Sequence, residues 1–413
     1  MQARPIEAPI DHRQLYRLPW TLSDNVIAWL EPTRKCNLAC EGCYRENVNE
    51  HKSLDAVRAD LETFARHRTF DSVSIAGGDP LLHPRICDIV AMVKGMGWKP
   101  IINTNGLAMT PVLLRALKHA GLVGLTFHID SKQGRPGWRG KTELELNALR
   151  LSYAEMAAEV GELSCAFNST VYQDTLDQVP GMVEWAQRHI DKVHTMVFIA
   201  YRQAVSSRHD YFCAGKKVDA EALKYVLTED EQRGDITSRE LVAKIRERFP
   251  DFAPAAYLGG SEKADSLKWL MAGRYGNRDE IFGYVGPRMM ELLQSAHHLL
   301  RGRYFAYSTP AMLAQGRGTM AAMATIDEGS RAALGRYARW VAQKPRRALE
   351  RQYFQSILCI QPIDILPDGR QNMCDGCPDI TVHEGELVWS CRLEEKLNFG
   401  GFVQTVPRAP GPA

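Results

Sequence analysis

The sequence has 413 residues, of which 45% are apolar and 24% are charged, and its formal net charge is +2. These values are typical of a globular chain of one to three domains, and they exclude disordered and fibrous proteins. Because 51 Lys and Arg residues are balanced by 49 Asp and Glu residues, the charge gives no reason to expect binding to nucleic acid or to an anionic membrane surface.

The N-terminal stretch, residues 1–24, is rich in Pro and Arg and lacks periodicity, which predicts an arm ahead of the folded part of the chain. It has no apolar core of the kind found in secretory signals, and no run of about 18 apolar residues occurs anywhere. A cytoplasmic protein without a transmembrane segment is therefore expected. Ten cysteines are too few for a disulfide scaffold in so long a chain, so most are expected to remain thiols.

From residue 25 onward, short β-rich runs alternate with amphipathic stretches, a pattern typical of a parallel sheet with crossover helices. The predicted strands cover residues 26–30, 72–76, 100–103, 125–129, 163–167 and 196–200, and the predicted helices cover residues 53–68, 84–95, 110–120, 141–160 and 176–189. Six such units form either an open doubly wound sheet or a partial barrel. Both folds carry their functional loops at the C-terminal ends of the strands.

The loop after the first predicted strand contains three closely spaced cysteines. Its sequence, EPTRKCNLACEGCYREN, places Cys36, Cys40 and Cys43 at C-x3-C-x2-C spacing, with Tyr44 directly after the last of them. A structural zinc site takes four protein ligands, and no fourth Cys or His is near in the sequence. A [4Fe–4S] cluster bound by three thiolates keeps one iron open for a further ligand.

This spacing and its position after the first strand resemble the radical S-adenosylmethionine (radical SAM) superfamily. The resemblance implies an α/β fold built on a partial (β/α)6 TIM-type barrel. It also implies that the open iron chelates SAM, and that one electron from the reduced cluster cleaves SAM to methionine and a 5′-deoxyadenosyl radical. That radical would abstract a hydrogen atom from a substrate.

The later predicted strands end in polar or glycine-rich segments, where this fold places its ligands. The candidate SAM-contacting residues at these ends, together with Tyr44, are Gly77, Gly78, Asp79, Asn103, Asn105, His128, Asp130, Asn168 and Arg202. The resemblance makes residues 77–80 a variant of the family's GGEP motif, with Asp in place of Glu, that holds the SAM amino group. It also places the end of the third strand near the SAM ribose.

Simpler interpretations of these residues stay open. Residues 77–80 also suit a plain strand-to-helix turn. His128 and Asp130 share a strand face, so they either contact SAM or substrate, or form a pair that closes the barrel rim. Arg202 either binds the SAM carboxylate or a substrate anion, or is an ordinary surface residue.

Residues 206–353 have helical composition with many Arg and aromatic residues, which predicts a helical insertion that shapes the substrate pocket. Such helices could cover a long apolar substrate with an anionic head, such as a lipid or isoprenoid. Packing between helices explains the same composition.

A second cysteine group, Cys359, Cys374, Cys377 and Cys391, lies near the C-terminus. Four thiolates can bind zinc. However, nine residues separate Cys359 from Gly369 and four separate Gly369 from Cys374, which resembles the SPASM/twitch extension of radical SAM enzymes. The resemblance implies a hairpin turning on the glycine and one auxiliary [4Fe–4S] cluster. With four thiolate ligands this cluster would pass electrons, and with fewer it could coordinate the substrate.

The predicted organisation is an N-terminal arm (1–24), a partial barrel (25–205), a helical insertion (206–353), a twitch-like auxiliary domain (354–400) and a flexible tail (401–413). The expected function is hydrogen abstraction from a small or lipid-like metabolite by a radical SAM oxidoreductase or bond-forming enzyme. Its electron donor is expected to be a flavodoxin or ferredoxin, and no nucleic acid partner is expected. The alternatives are a maturase of a ribosomal peptide and, in a different class, a non-enzymatic iron–sulfur or zinc protein.

Overall fold

The structure, a computed structural model, describes residues 10–202, 209–219, 223 and 236–408. The first part of the predicted arm, residues 1–9, lies outside the described residues. The rest of that arm is ordered, contrary to the expectation that order begins near Asn25. A short strand, β1 (Tyr16–Arg17), pairs in parallel with a strand far along the chain and so joins the main sheet.

Six parallel strands form the centre of that sheet, and five helices connect them. The strands are β2 (Ile27–Leu30), β3 (Ser72–Ile75), β4 (Lys99–Thr104), β5 (Gly124–His128), β6 (Ser164–Val171) and β7 (Thr195–Ala200). The helices are α1 (Leu54–His67), α2 (Ile86–Gly95), α3 (Pro111–His119), α4 (Asn147–Val160) and α5 (Val179–Arg188). The strands are adjacent in chain order, which confirms the predicted fold class of six β/α units.

The local sequence explains where these helices begin and which of their faces is buried against the sheet. The Ser53 side chain accepts a hydrogen bond from Ala56 N at the start of α1, and this satisfies a backbone donor that the helix leaves unpaired. Thr110 caps α3 in the same way ahead of Pro111, as the sequence predicts. Along α1, Val57, Leu61 and Phe64 are fully buried, and their spacing places them on one helix face against the sheet.

The second half of the chain contributes strands as well as helices. Its elements are β8 (His209–Cys213), β9 (Lys216–Lys217), α6 (Ser238–Arg248), β10 (Ala256–Leu258), β11 (Trp269–Gly276), β12 (Ile281–Tyr284), α7 (Pro287–Arg301), α8 (Pro310–Leu313), α9 (Gly316–Met323), α10 (Glu328–Gln343) and β13 (Tyr353–Ile360). Residues 206–353 were predicted to form a helical insertion, but in the structure this range also contains the five strands β8 to β12. Most residues of β11 are buried, so its sequence lacks the polar and apolar alternation that marks a half-exposed strand.

These later strands extend the barrel sheet instead of forming a separate one. β13 lies parallel beside β7, β11 is antiparallel to β13, and β10 is antiparallel to β11. β2 and β1 are therefore the two ends of the sheet's main path, with β12 attached to β11. Residues 18–26 connect these two edges directly.

The segment that carries part of the second cysteine group lies against both edges of this sheet. Cys374 forms an antiparallel bridge with Gly260, just after β10. On the other side, Asn25 Nδ2 donates to Gly376 O at 3.1 Å, and Arg68 Nη2 donates to Cys377 O at 3.0 Å. The segment therefore covers the space between the two edges of the curved sheet.

The C-terminal part is built from small hairpins. They comprise β14 (Asp364–Ile365) with β15 (Gln371–Asn372), and β16 (Ile380–His383) with β17 (Glu386–Trp389), followed by α11 (Leu393–Phe399) and β18 (Gln404–Pro407). Gly369 has a φ of 85° between β14 and β15, which confirms the predicted turn on this glycine. β18 pairs with β8, so the predicted flexible tail is a strand over residues 404–407, and residues 409–413 lie outside the described part. Among the described helices, none is both long and apolar enough to cross a membrane.

Candidate functional site

A cavity of about 460 Å³ occupies the interior of the barrel. Its size falls within the range of small-molecule binding sites, roughly 300–1,000 Å³. Six cysteines line it, three from each of the two sequence groups: Cys36, Cys40, Cys43, Cys374, Cys377 and Cys391. The cavity thus brings together residues that lie more than 300 positions apart in the chain.

The first three cysteines lie on the loop between β2 and α1. The loop is held by its own polar side chains: Asn47 Oδ1 accepts from Cys36 N at 2.9 Å, and Asn47 Nδ2 donates to Cys36 O at 3.0 Å. Burial raises the pKa of the Cys36, Cys40 and Cys43 thiols. Negative charge on Cys43 and Cys36 adds to the rise for Cys40, because like charges disfavour each other's ionised form. The three thiols are therefore electrostatic neighbours.

The glycine pair predicted to contact SAM lies directly against this loop. A Cβ on Gly77 would lie 2.4 Å from Thr33 O, and one on Gly78 would lie 2.2 Å from Lys35 O. Gly78 N donates to Thr33 O at 2.8 Å. Both glycines line the cavity. The absence of a side chain at Gly77 and Gly78 therefore makes room for the backbone of the cysteine loop.

Asp79 is fully buried and does not line the cavity, which differs from its predicted place among the SAM contacts. Its carboxylate accepts from Thr104 Oγ1 at 2.8 Å, from Asn105 N at 2.9 Å and from Leu81 N at 3.0 Å. It therefore ties the end of β3 to the end of β4. Burial raises the pKa of Asp79, although the bonds from Thr104 and Asn105 N oppose that rise.

Asn105 connects this carboxylate to the cysteine loop and does line the cavity. Its Nδ2 donates to Asn37 Oδ1 at 2.7 Å and lies 3.7 Å from Cys36 Sγ. Arg135, which the sequence analysis missed, donates through Nη2 to Asn105 O at 2.7 Å. The positive charge of Arg135 favours the thiolate form of Cys40. Arg135 lies in the loop after β5, far from the cysteines along the chain, so the sequence gave no sign of this contact.

His128 and Asp130 form the pair that their strand spacing predicts. His128 Nε2 lies 3.0 Å from Asp130 Oδ2 and 3.2 Å from Thr170 Oγ1. Both residues of the pair line the cavity. The sequence left two alternatives open, a His–Asp pair that closes the rim and side chains that face the ligand space. In the structure, His128 and Asp130 both pair with each other and line the cavity.

Two asparagine side chains, one on β4 and one on β6, keep unused hydrogen-bonding capacity beside the cavity. Asn103 Nδ2 and Asn168 Oδ1 are buried, and neither has a hydrogen-bond partner among the described residues. Both residues line the cavity. A buried donor or acceptor without a partner costs about 1–3 kcal/mol, so these atoms suit a polar ligand.

Tyr44 lies between the two cysteine groups. Its hydroxyl is 3.4 Å from Ser390 Oγ, next to Cys391 in the chain, and the Arg45 guanidinium lies 5.2 Å from its ring centre. Arg45 pairs with Glu31 and donates to Ser390 Oγ at 3.1 Å. This buried network joins the first cysteine loop to the C-terminal segment.

Arg202 does not line the main cavity, contrary to one of its predicted roles. It forms an ion pair with Asp364 and donates to Ile236 O at 3.3 Å. Arg202 lines a neighbouring cavity of about 140 Å³, which also contacts Tyr44, His128 and Cys391. The Arg202 guanidinium is thus already paired with the Asp364 carboxylate of the same chain.

The second cysteine group contains three neighbouring thiols, not the predicted four. Cys374, Cys377 and Cys391 line the cavity together, and interaction with Cys374, burial and negative charge on Cys391 all raise the pKa of Cys377. Cys359 lies on β13, where Leu358 and Ile360 face the cavity. Successive strand residues point to opposite faces, so Cys359 faces away, and it packs in the core between sheet and helices. The spacing of the cysteines in the sequence could not predict the register of β13, which directs the Cys359 side chain away from the cavity.

The zinc alternative receives no support from the side-chain arrangement. No group of three or more His, Cys, Asp or Glu side chains within the described ranges is placed to hold a single metal ion. In a cubane cluster each thiolate binds a different iron, so its ligands need not converge on one point.

The remaining walls of the cavity are largely apolar and aromatic. They include Trp20, Trp29, Trp269, Met290, Phe305 and Phe354. Phe305 and Tyr307 come from the segment after α7, which the sequence analysis assigned to the pocket-shaping region. Lys99 Nζ holds this segment by donating to Ala306 O at 2.9 Å. The three tryptophans were missed, because single aromatic residues in separate segments show no pattern.

Comparison with known proteins agrees with this arrangement of the first cysteine loop. Residues 30–133 match the family model described as the Radical SAM superfamily. The tungsten-containing aldehyde ferredoxin oxidoreductase cofactor-modifying protein of Pyrococcus furiosus is 30% identical over 106 residues, which are 25% of this chain and 30% of that protein. The PqqA peptide cyclase of Xanthomonas campestris pv. campestris is 24% identical over 182 residues, which are 41% of this chain and 46% of that protein.

Among solved structures, Streptococcus suis SuiB bound to the precursor peptide SuiA has a TM-score of 0.35 and 19% identity, covering 44% of this chain and 40% of SuiB. The chain thus spans less than half the length of each of these three proteins. Residues 30–133 thus match the superfamily that the sequence of the first cysteine loop resembles.

Proposed function

We propose that the protein reductively cleaves SAM and abstracts a hydrogen atom from a small, largely apolar or lipid-like metabolite. The observation that carries this proposal is the position of Cys36, Cys40 and Cys43, which line the cavity and belong to the part of the chain that matches the Radical SAM superfamily. The same cavity contains the Gly77 turn and the apolar walls. Cofactor and substrate would therefore share one enclosed space.

The three thiols of the first loop suit a [4Fe–4S] cluster with one open iron. Such a cluster chelates SAM and supplies the electron that cleaves it to a 5′-deoxyadenosyl radical. The protein's contribution is to hold the thiols: Asn47 fixes Cys36 from one side and Asn105 contacts it from the other. Arg135 places a buried positive charge beside Cys40, which would offset part of the negative charge of a bound cluster.

The chain offers polar groups that would orient SAM. Asn103 Nδ2 is a buried donor and Asn168 Oδ1 a buried acceptor, both without partners among the described residues, and both suit the hydroxyl groups of a ribose. The Gly77 carbonyl would accept from the SAM ammonium. His128, fixed by Asp130 and Thr170, lines the same cavity and would contact SAM or the substrate.

The substrate would be recognised mainly by apolar contact. Trp20, Trp29 and Trp269, together with Phe305 and Phe354, supply broad apolar walls, and such surfaces favour apolar groups by roughly 25 cal/mol per Å² removed from water. Enclosure also protects a reactive intermediate from side reactions with solvent. These properties support a substrate whose reacting carbon belongs to a hydrocarbon or aromatic part.

A second [4Fe–4S] cluster at Cys374, Cys377 and Cys391 completes the proposal. These thiols line the same cavity as the first set. They would place the auxiliary cluster within the substrate's enclosure, where it could exchange an electron with the substrate. A flavodoxin or ferredoxin remains the predicted donor to the first cluster.

The test is anaerobic reconstitution, reduction with dithionite and measurement of 5′-deoxyadenosine from added SAM. The parent protein should cleave SAM, and the triple variant Cys36→Ala, Cys40→Ala and Cys43→Ala should not. Cys87→Ala is the matched control, since Cys87 lies outside both cysteine groups and packs at the edge of the core. Absence of cleavage by a parent protein with intact clusters would favour the non-enzymatic alternative.

A peptide substrate is the second candidate, because the chain is similar to a PqqA peptide cyclase. Incubation with deuterated host extract, separated by size, distinguishes the two candidates. Deuterium in 5′-deoxyadenosine should arise from the small-molecule fraction if the substrate is a metabolite. It should arise from the peptide fraction if the protein is a maturase.

A further inference from the structure

A row of small, mostly polar side chains crosses the interior of the barrel. Five neighbouring strands, β4 to β7 and β13, contribute one residue each, and these residues are paired in register: Asn103, Thr126, Ala166, Thr195 and Ser356. All five line the cavity, and they are termed the polar row. Thr195 is the first residue of β7, whereas the first cysteine loop follows the C-terminal end of β2. The polar row therefore lies nearer the N-terminal ends of the strands than the cysteines do.

The composition of the polar row is unusual for the inside of a barrel. Such positions are usually filled by bulky branched residues, which pack the space completely. The same strands do place bulky apolar residues in the cavity two positions further on, at Val197 in β7 and Leu358 in β13. Small hydroxyl side chains at Thr195 and Ser356 therefore keep the deep part of the cavity open and polar.

Tyr307, from the segment between α7 and α8, reaches the cavity beside the polar row. Burial raises the pKa of Tyr307, and the Ser74 and Thr126 hydroxyls oppose that rise, so the three hydroxyl groups are neighbours. Ser74 lines the cavity and is fully buried, yet its Oγ has no hydrogen-bond partner among the described residues. The hydroxyls thus surround a space without satisfying one another.

The backbone holds Tyr307 in an unfavourable conformation. Its φ is 37°, in the left-handed region that a bulky residue rarely adopts, and strain of this kind is concentrated at functional sites. The preceding residue is fixed from both sides: Lys99 Nζ donates to Ala306 O at 2.9 Å, and Ala306 N donates to Asp71 Oδ2 at 3.1 Å. These contacts keep Tyr307 at the cavity in spite of the strain.

Unsatisfied polar atoms beside the polar row indicate a missing partner. Ser74 Oγ and Asn103 Nδ2 are both buried, and neither has a hydrogen-bond partner among the described residues. Folded proteins satisfy most buried polar groups, so each exception calls for an explanation. An oxygen atom of a ligand accepts from a hydroxyl or an amide N–H, and it would complete these groups.

The surroundings of the polar row are uncharged. Among the described residues that line the cavity, Arg45, Asp130 and Asp379 carry charged side chains, and all three lie in or beside the segments at the cysteine end. His194, next to Thr195, also lines the cavity, but its Nδ1 accepts from Cys165 N at 2.9 Å, so the ring is the neutral form. A charged group of a ligand would lose its hydration here without gaining a counter-ion.

We propose that Ser74, Thr126, Thr195, Ser356 and Tyr307 bind an uncharged oxygen of the substrate, a hydroxyl or a carbonyl group. The substrate would then be an apolar skeleton that carries a neutral oxygen at the end remote from the first cysteine loop. This inference rests on the proposed function, because it places the substrate in the cavity that SAM shares. It opposes the anionic head group that the sequence left open for a lipid-like substrate.

The experiment compares four probes of one shape that differ in their polar group: naphthalene, 2-naphthol, 2-acetylnaphthalene and 2-naphthoate. Equilibrium dialysis measures their dissociation constants for the anaerobically reconstituted full chain with SAM and without reductant, so that no turnover occurs. The variants are Tyr307→Phe and Ser74→Ala. Tyr337→Phe is the matched control, because Tyr337 is buried in a different part of the core and lies outside the cavity.

The parent protein should bind 2-naphthol or 2-acetylnaphthalene about 2- to 10-fold more tightly than naphthalene, as one net hydrogen bond allows. The tighter of the two distinguishes a hydroxyl from a carbonyl group. 2-Naphthoate should bind more weakly than naphthalene. Tyr307→Phe and Ser74→Ala should each reduce the preference for the neutral oxygen, whereas Tyr337→Phe should retain it.

Thermal unfolding separates recognition from a structural role. Ser74→Ala removes a hydroxyl that has no partner in the free protein, so its unfolding temperature should not fall. Lower affinity for the preferred probe in a variant of undiminished stability would support the inference.

Three results would overturn the inference: no preference for either neutral oxygen over naphthalene, tightest binding of 2-naphthoate, or an unchanged preference in both variants. Binding of none of the probes would also overturn it, because the cavity would then not be an accessible pocket. SAM cleavage by the same preparation after reduction tests the proposed function separately. Intact cleavage with any of these results would overturn this inference alone.

Discussion

Replacement of Asp79 by Ala should destabilise the protein and disturb the first cysteine loop. The Asp79 side chain is fully buried, and its carboxylate accepts from Leu81 N, Thr104 Oγ1 and Asn105 N. Ala leaves these three donors without an acceptor, and each unsatisfied buried group costs about 1–3 kcal/mol. Removal of a buried charge offsets part of that cost, because burial raises the pKa of Asp79. The expected loss is about 3–5 kcal/mol of unfolding free energy.

Asp79→Asn should cost less, about 1–3 kcal/mol, since one acceptor oxygen remains while the new NH2 group faces a donor. Asp88→Ala is the control: Asp88 is an exposed carboxylate paired with Arg85 on the surface, and its removal should leave the unfolding free energy close to that of the parent protein. Urea unfolding under anaerobic conditions, followed by tryptophan fluorescence, measures all three variants at equal protein concentration.

The two Asp79 variants should also bind the first cluster less tightly. Asn105 contacts both Asp79, through its backbone N–H, and Asn37, through its side chain, so its displacement should reach the loop that carries Cys36. Asp79→Ala should therefore release iron to a chelator faster than the parent protein, whereas Asp88→Ala should not. If the unfolding free energy of Asp79→Ala lies within about 1 kcal/mol of that of the parent protein, Asp79 is not the link between β3 and β4.

Three further predictions concern other parts of the molecule. Burial lowers the pKa of His194 to about 4. The contribution of neutral His194 to the unfolding free energy should therefore be fully present above the unfolded-state pKa of about 6.5, and the unfolding free energy should fall by about 3 kcal/mol as the pH drops towards 4. His194→Asn should flatten this pH dependence in urea unfolding. Gly78→Ala would place a Cβ 2.2 Å from the cysteine-loop backbone and should abolish SAM cleavage, while Gly95→Ala, with open space around it, should retain it. Arg45→Met leaves the Glu31 carboxylate buried without its ion-pair partner. The unfolding free energy, measured by denaturant titration, should therefore fall by about 3–5 kcal/mol.

The barrel was predictable from sequence because its signal is local. The runs that became β2 to β7 are short and apolar, and the helices between them repeat apolar residues at helical spacing, as Val57, Leu61 and Phe64 do. The same method failed for β11, where a residue such as Trp269 belongs to a strand that is buried on both faces. Without alternation, such a strand resembles part of a buried helix.

The cysteine loops were predictable as groups, but the face that each side chain presents was not. Cys359 has the spacing of a ligand, yet the pairing of β13 with β7 and β11 turns it away from the cavity. Arg135 entered the site without any sequence signal, because its neighbours come from distant segments. Long-range strand register and hairpin pairing decide these positions, and neither is encoded in local periodicity.

The central claim is that the cavity brings SAM chemistry to an apolar substrate, and the most direct measurement is hydrogen transfer. The reconstituted, dithionite-reduced protein is incubated anaerobically with SAM and the deuterated small-molecule fraction of the native host, and 5′-deoxyadenosine is analysed by mass spectrometry. We expect deuterium in the 5′-deoxyadenosine, and none when Cys36, Cys40 and Cys43 are replaced by Ala. Intact clusters without any formation of 5′-deoxyadenosine would contradict it.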